Sequence, residues 1–432
     1  MRAEKLAHDG AAEGVFEGKP VRVFGMLAGE EGIVEAYKKR GIWIGTLKEL
    51  THASPSRKDP EEPHYLSCSP WQVMEYSLQL KEKQAVLESL FGFYADAPKP
   101  SFVTASQLFG YRTKIEFSFT DREGDREFPL SLAFHVRGGG QMRIALPEGC
   151  ALASSPMNKA ALMICEKLRT LGLTSRDLKT LIIRESKSTG NLLALLYAKA
   201  EAVPQFPTGD IPNLSGLIVF HSTEKSPASV PTKELWRSGE DFLTERVGDL
   251  DIRYSWDSFF QNNVPMFEIA VSSQQSVVNS NDAKILELYS GVGTIGLLLA
   301  KNAEHVHGVE IIPNATAAAK ENAQRNNITN YVAECIPAEK MDARLLDGKD
   351  VLVLDPPRSG LHPKVLDTIK EKLPPKIIYL SCNPETQARD YSAIAEHYKI
   401  EKIVGFDFYP QTPHLESLLI LSLRGKSAKL MV

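Results

Sequence analysis

The chain has 432 residues, of which 43% are hydrophobic and 24% are charged. It is too long for one compact core, and its composition excludes a mostly disordered chain. The net charge of −4 argues against binding nucleic acid through bulk positive charge, although a local basic groove remains open. No apolar run is long enough to span a bilayer, and the N-terminus lacks a secretory pattern. We therefore expect a cytoplasmic protein without a membrane partner.

The first 52 residues contain short alternating segments that are separated by glycines. These segments are residues 14–16, 20–26, 31–36 and 42–46. Short strands with glycine turns predict a small antiparallel β-barrel. Such barrels often bind nucleic acid, but many have only a structural role, so the pattern alone leaves both readings open.

A polar linker, residues 54–63, separates this region from a middle part of mixed character. Apolar residues at helical spacing predict helices near 73–93 and 160–171, and apolar runs predict strands at 179–185, 191–197 and 216–221. We interpret residues 53–250 as a central α+β domain.

The remaining residues, 251–432, alternate apolar strands with helical stretches. Strands are predicted at residues 284–289, 305–310, 331–335, 351–355, 377–381, 402–408 and 418–423. This alternation predicts an α/β domain with a mostly parallel, doubly wound sheet of the Rossmann-like kind.

The first motif of this domain follows its first predicted strand. Gly291 and Gly293 open a G-x-G-x-x-G string before a helix, and Glu310 ends the next strand. The glycines permit a tight turn close to a ligand, and the carboxylate is placed to bind ribose hydroxyls. Both NAD and S-adenosylmethionine satisfy this pattern, whereas a mere tight turn would not require Glu310.

Two further motifs end strands at the same edge of the predicted sheet. Asp355 ends the strand before Pro356 and Pro357, and therefore faces the same crevice as Gly291. Cys382 ends the following strand and precedes a helix. Because a helix N-terminus lowers a thiol pKa, we expect Cys382 to be a nucleophilic thiolate.

The last motif supplies a candidate base. Glu416 begins the final strand, where a partly desolvated carboxylate can accept a proton near neutral pH. His414 is the rival base, and a solvated edge position is the alternative reading of Glu416.

Together these motifs resemble the RNA uracil-5-methyltransferase family, which forms 5-methyluridine with S-adenosylmethionine. The resemblance rests on the SCNP and TxARD strings around Cys382 and on the closing P-x-T-x-H-x-E. It extends to an F-x-Q-x-N segment at Gln261, a Y-R-x-K segment at residues 111–114, and an N-terminal LAHDG typical of the TRAM barrel, an RNA-binding module. It implies a class I methyltransferase domain, Cys382 as nucleophile and Glu416 as base. The cofactor-binding residues that it implies are Gln261, Tyr289, Gly291, Gly293, Glu310 and Asp355.

The chain departs from this family in its cysteines. TRAM-containing members often hold a four-iron cluster on four cysteines, but here only Cys68 and Cys150 match, while Glu62 and Trp71 occupy the other ligand positions. Two cysteines cannot hold such a cluster as four do. The five scattered cysteines also include no CxxC pair for zinc. We expect neither an iron–sulfur cluster nor another metal, and we expect Trp71 to pack the linker against the central domain.

The resemblance implies an RNA partner and a monomer. The TRAM-like barrel favours 23S rRNA as substrate, with tRNA as the alternative. Two other classes of protein remain: a nicotinamide oxidoreductase would use Gly291, Gly293 and Glu310 but leaves Cys382 unexplained, and a non-catalytic RNA-binding protein would not require the cofactor motifs.

Overall fold

The structure is a computed structural model that describes residues 1–7, 9–39, 41–123, 126–137, 142–226, 229–278 and 281–425. His8 of the LAHDG segment lies outside these residues. The described chain forms two compact units. The first comprises Met1–Gln79, Ser106–Leu243 and Tyr409–Pro413, and the second comprises Leu80–Ala105, Thr244–Phe408 and the chain from His414. The domain boundaries at residues 52 and 250 stay predictions.

The predicted N-terminal barrel is built from short strands in the first unit. They are β1 (Ala3–Leu6), β2 (Ala12–Phe16), β3 (Lys19–Phe24), β4 (Glu31–Lys39) and β5 (Ile42–His52), in the order β1-β2-β3-β5-β4. An antiparallel bridge between Arg2 and Glu31 links the start of β1 to the start of β4. This bridge joins the two edge strands at their starts. Strands β3 and β5 pair in parallel, so the sheet is not wholly antiparallel as predicted.

Buried Glu30 connects this barrel to the linker. Its carboxylate accepts bonds from Arg57 at 2.6 and 2.7 Å and from the backbone N–H groups of Leu27 and Ser54. Burial opposes ionisation of Glu30, but these bonds outweigh it and lower the pKa of its carboxyl. The linker is therefore held in place by a charge that is fully hydrogen-bonded.

Three elements follow the barrel before the central sheet begins: α1 (Tyr65–Cys68), α2 (Tyr76–Phe91) and β6 (Ser101–Val103). Helix α2 matches the helix predicted near 73–93. The boundary between the two compact units falls inside it, after Gln79.

The central part is a mixed sheet covered by one long helix. Its elements are β7 (Lys114–Glu123), β8 (Arg126–His135), β9 (Arg143–Ala145), α3 (Ser155–Thr170), β10 (Leu178–Glu185), β11 (Leu192–Ala198), β12 (Leu214–His221) and β13 (Lys233–Gly239). The strand order is β13-β12-β11-β10-β7-β8-β9. Helix α3 begins at its N-cap Ser154 and buries Met157, Ile164 and Leu168 in the same core as Phe117 and Leu181. This arrangement of a mixed sheet and a helix is the α+β fold that the sequence predicts for the central part.

The second unit contains the predicted doubly wound sheet. Its elements after the hairpin β14 (Phe242–Val247) and β15 (Leu250–Ser255) are α4 (Val264–Gln275), β16 (Lys284–Leu288), α5 (Thr294–Ala300), β17 (His305–Glu310), α6 (Pro313–Arg325), β18 (Tyr331–Cys335), β19 (Val351–Leu354), α7 (Pro363–Lys372), β20 (Lys376–Ser381), α8 (Pro384–Ser392), β21 (Tyr398–Phe406) and β22 (Glu416–Leu423). Two short 3-10 turns, Ala338–Lys340 and Ala343–Leu346, precede β19.

The order of this sheet is β18-β17-β16-β19-β20-β22-β21-β6. Strands β16 to β20 pair in parallel, whereas β22 is antiparallel to both β20 and β21. The order reverses between β16 and β19, which is the position where open α/β sheets bind ligands. The Rossmann-like fold class is confirmed.

Alternate side chains of β16 point to opposite faces of the sheet, and each face packs against a different helix. Leu286 and Leu288 pack in one core with Val365 and Ile369 of α7, whereas Glu287 points to the other face and accepts a bond from Gly296 of α5.

Among the described residues, no helix is long and apolar enough to cross a membrane.

Candidate functional site

The glycine motif forms a left-handed turn after β16. Tyr289, Gly291 and Gly293 have φ values of 65°, 55° and 85°. A Cβ atom at Gly291 would meet no heavy atom within 4 Å, so this backbone borders open space. Gly293 caps α5. The turn therefore presents backbone to the crevice without covering it with a side chain.

Glu310 ends β17 beside this turn. Its carboxylate accepts the N–H of Gly291 at 2.9 Å and that of Ile312 at 2.8 Å. These bonds fix the carboxylate at the sheet edge and leave further lone pairs on its two oxygens, since a carboxylate has about four acceptor sites. The geometry fits a group that accepts bonds from ribose hydroxyls.

Glu287 is a buried residue of this region that the motif analysis did not single out. Its Oε1 atom accepts from the Gly296 N–H at 3.1 Å, while its Oε2 atom has no hydrogen-bond partner in the part of the chain that the structure describes. Burial raises the pKa of Glu287 to about 8. A Cβ atom on Gly296 would stand 2.2 Å from this carboxylate. The third glycine of the motif is therefore required for close packing of α5 on β16.

Gln261 lies in the segment between β15 and α4. It is buried, and the adjoining Phe260 stacks on Tyr254 with 4.1 Å between ring centroids. Asn263 caps α4 and donates from its amide to the carbonyl of Phe408 at 3.0 Å. Both contacts hold the Gln261 segment in one conformation.

Asp355 follows β19 and begins a loop that α8 holds in place. Asp390, on α8, accepts bonds from the Leu361 N–H at 2.7 Å and from the Tyr379 hydroxyl at 2.8 Å. The Asn383 amide also donates to the carbonyl of Arg358 at 3.0 Å. Asn383 of the SCNP motif and Asp390 of the TxARD motif therefore position the loop after Asp355.

Cys382 and Glu416 are placed opposite each other by strand register. Strands β20 and β22 are antiparallel, and Ser381 pairs with Ser417. Continuing this register by one residue sets Cys382 against Glu416, which is buried. Asp355 ends the adjacent parallel strand. Three predicted site residues therefore meet at the carboxyl edge of the sheet.

The expectation of a lowered thiol pKa is wrong for the free enzyme. Burial, together with the charges of Glu416 and Asp355, raises the pKa of Cys382 to about 12, although the charge of Arg358 opposes this. Burial also raises the pKa of Asp355 to about 7. The resting thiol is consequently protonated at neutral pH, and the helix N-terminus at Asn383 does not overcome burial and the two nearby carboxylates.

Gln387 connects the strands that carry Cys382 and Glu416. Its amide donates to the carbonyls of Tyr379 at 2.8 Å and Ser417 at 3.1 Å, and it accepts from the Ser417 hydroxyl at 2.6 Å. Sequence reasoning missed this role, because only the fold brings the TxARD string beside Ser417.

We expected Trp71 to pack the linker against the central domain. It is buried in a small cluster with Leu27, Val73 and Met74, which Leu6 of the barrel also contacts. The linker is therefore packed against the barrel at this position, and Trp71 does fill a buried volume.

The fold and the positions of these motifs define a methyltransferase of the Rossmann-like class, and comparison with known proteins specifies it further. The model of the tRNA (uracil-5-)-methyltransferase family matches residues 237–424. An uncharacterised RNA methyltransferase of Halalkalibacterium halodurans is 30% identical, over 98% of this chain and 96% of that protein. One of Caldanaerobacter subterraneus is also 30% identical, over 98% of both chains.

A solved structure matches along nearly the whole chain as well. It is that of the Pyrococcus abyssi tRNA (uracil-54, C5)-methyltransferase in complex with S-adenosyl-L-homocysteine, with a TM-score of 0.79 and 26% identity, covering 98% of this chain and 99% of that one. The chain belongs to the RNA uracil-5-methyltransferase family.

Proposed function

We propose that this enzyme methylates carbon 5 of a uridine in RNA by covalent catalysis, with Cys382 as the nucleophile and Glu416 as the base. The observation that carries the proposal is the register that sets Cys382 and Glu416 opposite each other on β20 and β22. A nucleophile and a base on neighbouring strands can act on carbons 6 and 5, which are adjacent in the same ring.

The proposed reaction needs both residues in turn. The Cys382 thiol loses its proton to solvent as the sulfur bonds to carbon 6, and the ring becomes an enolate with an electron-rich carbon 5. Carbon 5 then takes the methyl group and retains its hydrogen, while the methyl–sulfur bond of the donor breaks and leaves a neutral thioether. Glu416 removes that hydrogen as a proton, and the electrons left behind re-form the 5,6 double bond while the carbon–sulfur bond breaks.

The methyl donor is S-adenosylmethionine, whose sulfonium supplies an electrophilic methyl group. We assign its binding to Gln261, Tyr289, Gly291, Gly293, Glu310 and Asp355. The open space beside Gly291 and the fixed carboxylate of Glu310 support this assignment. The target base has to leave its stack to reach Cys382, because its carbon atoms are shielded in a helix. We assign the grip on the flanking RNA to the TRAM-like barrel and the central domain.

For the RNA itself we propose 23S rRNA, on the ground that the chain carries the barrel. A second candidate is tRNA, because the Pyrococcus abyssi tRNA enzyme aligns over 98% of this chain, N-terminal region included. Mapping 5-methyluridine in both RNAs from cells with and without this protein distinguishes the two, since only the substrate loses its modified position.

The mechanism is tested by tritium release from RNA that contains uridine labelled at carbon 5. We expect the wild-type enzyme and the variant Cys335→Ala, which lacks an exposed cysteine elsewhere in the domain, to release tritium at equal rates. Cys382→Ala should release none, yet bind S-adenosylmethionine with unchanged affinity by calorimetry. RNA with 5-fluorouridine should trap a covalent complex of the wild type. Tritium release by Cys382→Ala at a normal rate would refute the assignment of the nucleophile.

A further inference from the structure

A cluster of potential metal ligands lies in the first compact unit, apart from the residues of the proposed reaction. It consists of Glu62, His64, Cys68 and Cys150, whose ligand atoms all lie within 4.8 Å of one another. The Glu62 carboxylate is 3.0 Å from the Cys68 sulfur, 3.7 Å from the Cys150 sulfur and 3.0 Å from the His64 Nε2 atom. We call these residues the linker cluster.

The linker cluster is withdrawn from solvent. Glu62, His64 and Cys150 are 9%, 7% and 2% exposed, and Cys68 is partly buried. The Nε2 atom of His64 lies 3.0 Å from the Glu62 carboxylate but makes no hydrogen bond of good geometry with a described residue. Buried polar atoms normally have such a partner. An imidazole whose ligand atom lies within 4.8 Å of two thiols and a carboxylate therefore requires an explanation.

Local structure holds each ligand in position. His64 precedes the single turn of α1, and Cys68 ends that turn. Cys150 follows Gly149, and its backbone N–H and carbonyl are both bonded by the Asn158 amide at 2.9 Å. A Cβ atom at Gly149 would stand 2.2 Å from that amide.

The carboxylate of the cluster is oriented as well. Glu62 accepts the Ala151 N–H at 2.7 Å and the Gln72 amide at 3.0 Å. Hydrogen bonds of this kind are the support that protein metal sites give to their ligands.

The donor set does not fit a four-iron cluster. Such a cluster takes a protein ligand at each iron, most often four thiolates, and here two of the four donors are oxygen and nitrogen.

The donor set is also compact enough for one metal ion. Around one tetrahedral Zn²⁺ with zinc–sulfur bonds of about 2.3 Å, neighbouring donor atoms stand about 3.8 Å apart. The contacts of Glu62 with the other three ligands, at 3.0 to 3.7 Å, are at or somewhat below this spacing, and all four ligand atoms lie within 4.8 Å of one another.

We propose that Glu62, His64, Cys68 and Cys150 bind a single Zn²⁺ ion as a closed structural site. Four protein ligands complete a tetrahedron and leave no position for water or substrate, which distinguishes a structural from a catalytic zinc. Thiolate, imidazole and carboxylate all suit this ion. The proposal replaces the expectation of a metal-free linker, which considered cysteine positions and overlooked His64.

Binding of the ion changes the protonation of the cluster. The two thiols lose their protons to solvent, the imidazole binds in its neutral form, and the Glu62 carboxylate stays ionised. The ion then connects a linker segment to a residue 88 positions further along the chain. The site therefore fixes the linker to the central sheet.

Metal content of the purified full-length protein tests the proposal. Elemental analysis, with acid-labile sulfide as a second measurement, should give about one zinc per chain and no sulfide for the wild type. Cys165→Ser is the matched control, because Cys165 is buried in the central core of the same unit but outside the cluster, and it should retain its zinc. The double variant Cys68→Ser/Cys150→Ser should retain less than a tenth of the wild-type zinc.

Cobalt provides a readout that does not depend on stability. Protein produced in cobalt-supplemented medium should show the visible absorption of tetrahedral Co²⁺ with thiolate ligands, and this absorption should be unchanged in Cys165→Ser. His64→Gln and Glu62→Gln keep both thiols and should each lose at least half of the bound zinc or alter the cobalt spectrum. Wild-type protein without zinc, zinc that persists in the double variant, or four irons with labile sulfide would each overturn the proposal.

Discussion

The carboxylate of Glu416 has one defined step in the proposed reaction, which is removal of the proton from carbon 5. Glu416→Gln keeps the size of the side chain but cannot accept this proton, so the covalent adduct should form and then persist. We expect turnover to fall on the order of 100-fold or more, with a protein–RNA band on denaturing gels. Normal turnover of Glu416→Gln would instead show that His414 or a chain of water molecules removes the proton.

Burial raises the pKa of the Cys382 thiol most, the charges of Glu416 and Asp355 raise it further, and the charge of Arg358 lowers it. Of these charges, Asp355 and Arg358 can be tested without altering the proposed base. Above pH 7, where Asp355 is ionised, Asp355→Asn should speed alkylation of Cys382 on the order of tenfold, since one pKa unit is a tenfold change in thiolate. Arg358→Gln should slow it.

Mass spectrometry of the alkylated peptides measures this effect, with exposed Cys335 as the internal standard. At pH 6 Asp355 is protonated, so the wild type and Asp355→Asn should converge. Identical profiles at every pH would show that neither charge reaches the thiol.

At the scale of elements, α2 is fixed to the end of β21 by a buried ion pair. Lys83 lies 2.5 Å from Asp407, and both side chains are fully buried. Lys83→Met removes the cation that faces a buried carboxylate, which should cost about 3–5 kcal/mol of unfolding free energy. Chemical denaturation followed by circular dichroism measures it.

Two variants serve as controls for this pair. Lys83→Met/Asp407→Asn removes the stranded charge and should recover part of the loss. Lys370→Met breaks an exposed pair with Asp367, and should change stability by less than about 1 kcal/mol. Equal losses in Lys83→Met and Lys370→Met would contradict the argument.

Hydrophobic periodicity predicts most of the elements in the methyltransferase sheet, because strands such as β19, β20 and β22 are dominated by apolar runs. It misses β6, which has three residues and pairs with the distant β21. The motifs likewise locate Cys382 and Glu416, yet the direction of the thiol pKa depends on carboxylates that only the folded sheet brings close. The sequence does not predict His64 as a metal ligand, because Cys150, another member of the cluster, is remote in sequence.

At the scale of the whole molecule, the second compact unit is assembled from separate stretches of chain. Residues 80–105 supply α2 and β6, and Leu87 and Phe91 are fully buried in its core. A fragment of residues 251–432 should therefore be soluble only in part and should bind a dye specific for exposed apolar surface. Supplying residues 80–105 as a peptide should reduce the dye signal. A fragment with sharp, cooperative thermal unfolding would contradict this expectation.

The pairing of β6 with β21 also implies a delay during synthesis on the ribosome, because the two strands are far apart in sequence. Ser101 pairs with Val404, so the earlier strand is made about 300 residues before its partner. At about 5–20 residues per second, the interval is roughly 15–60 s. During this interval the apolar side of α2 has no native core to cover it, and the nascent chain offers a binding surface to chaperones. Codon changes that slow translation between the two strands should therefore lower the yield of folded enzyme without altering a single residue of it.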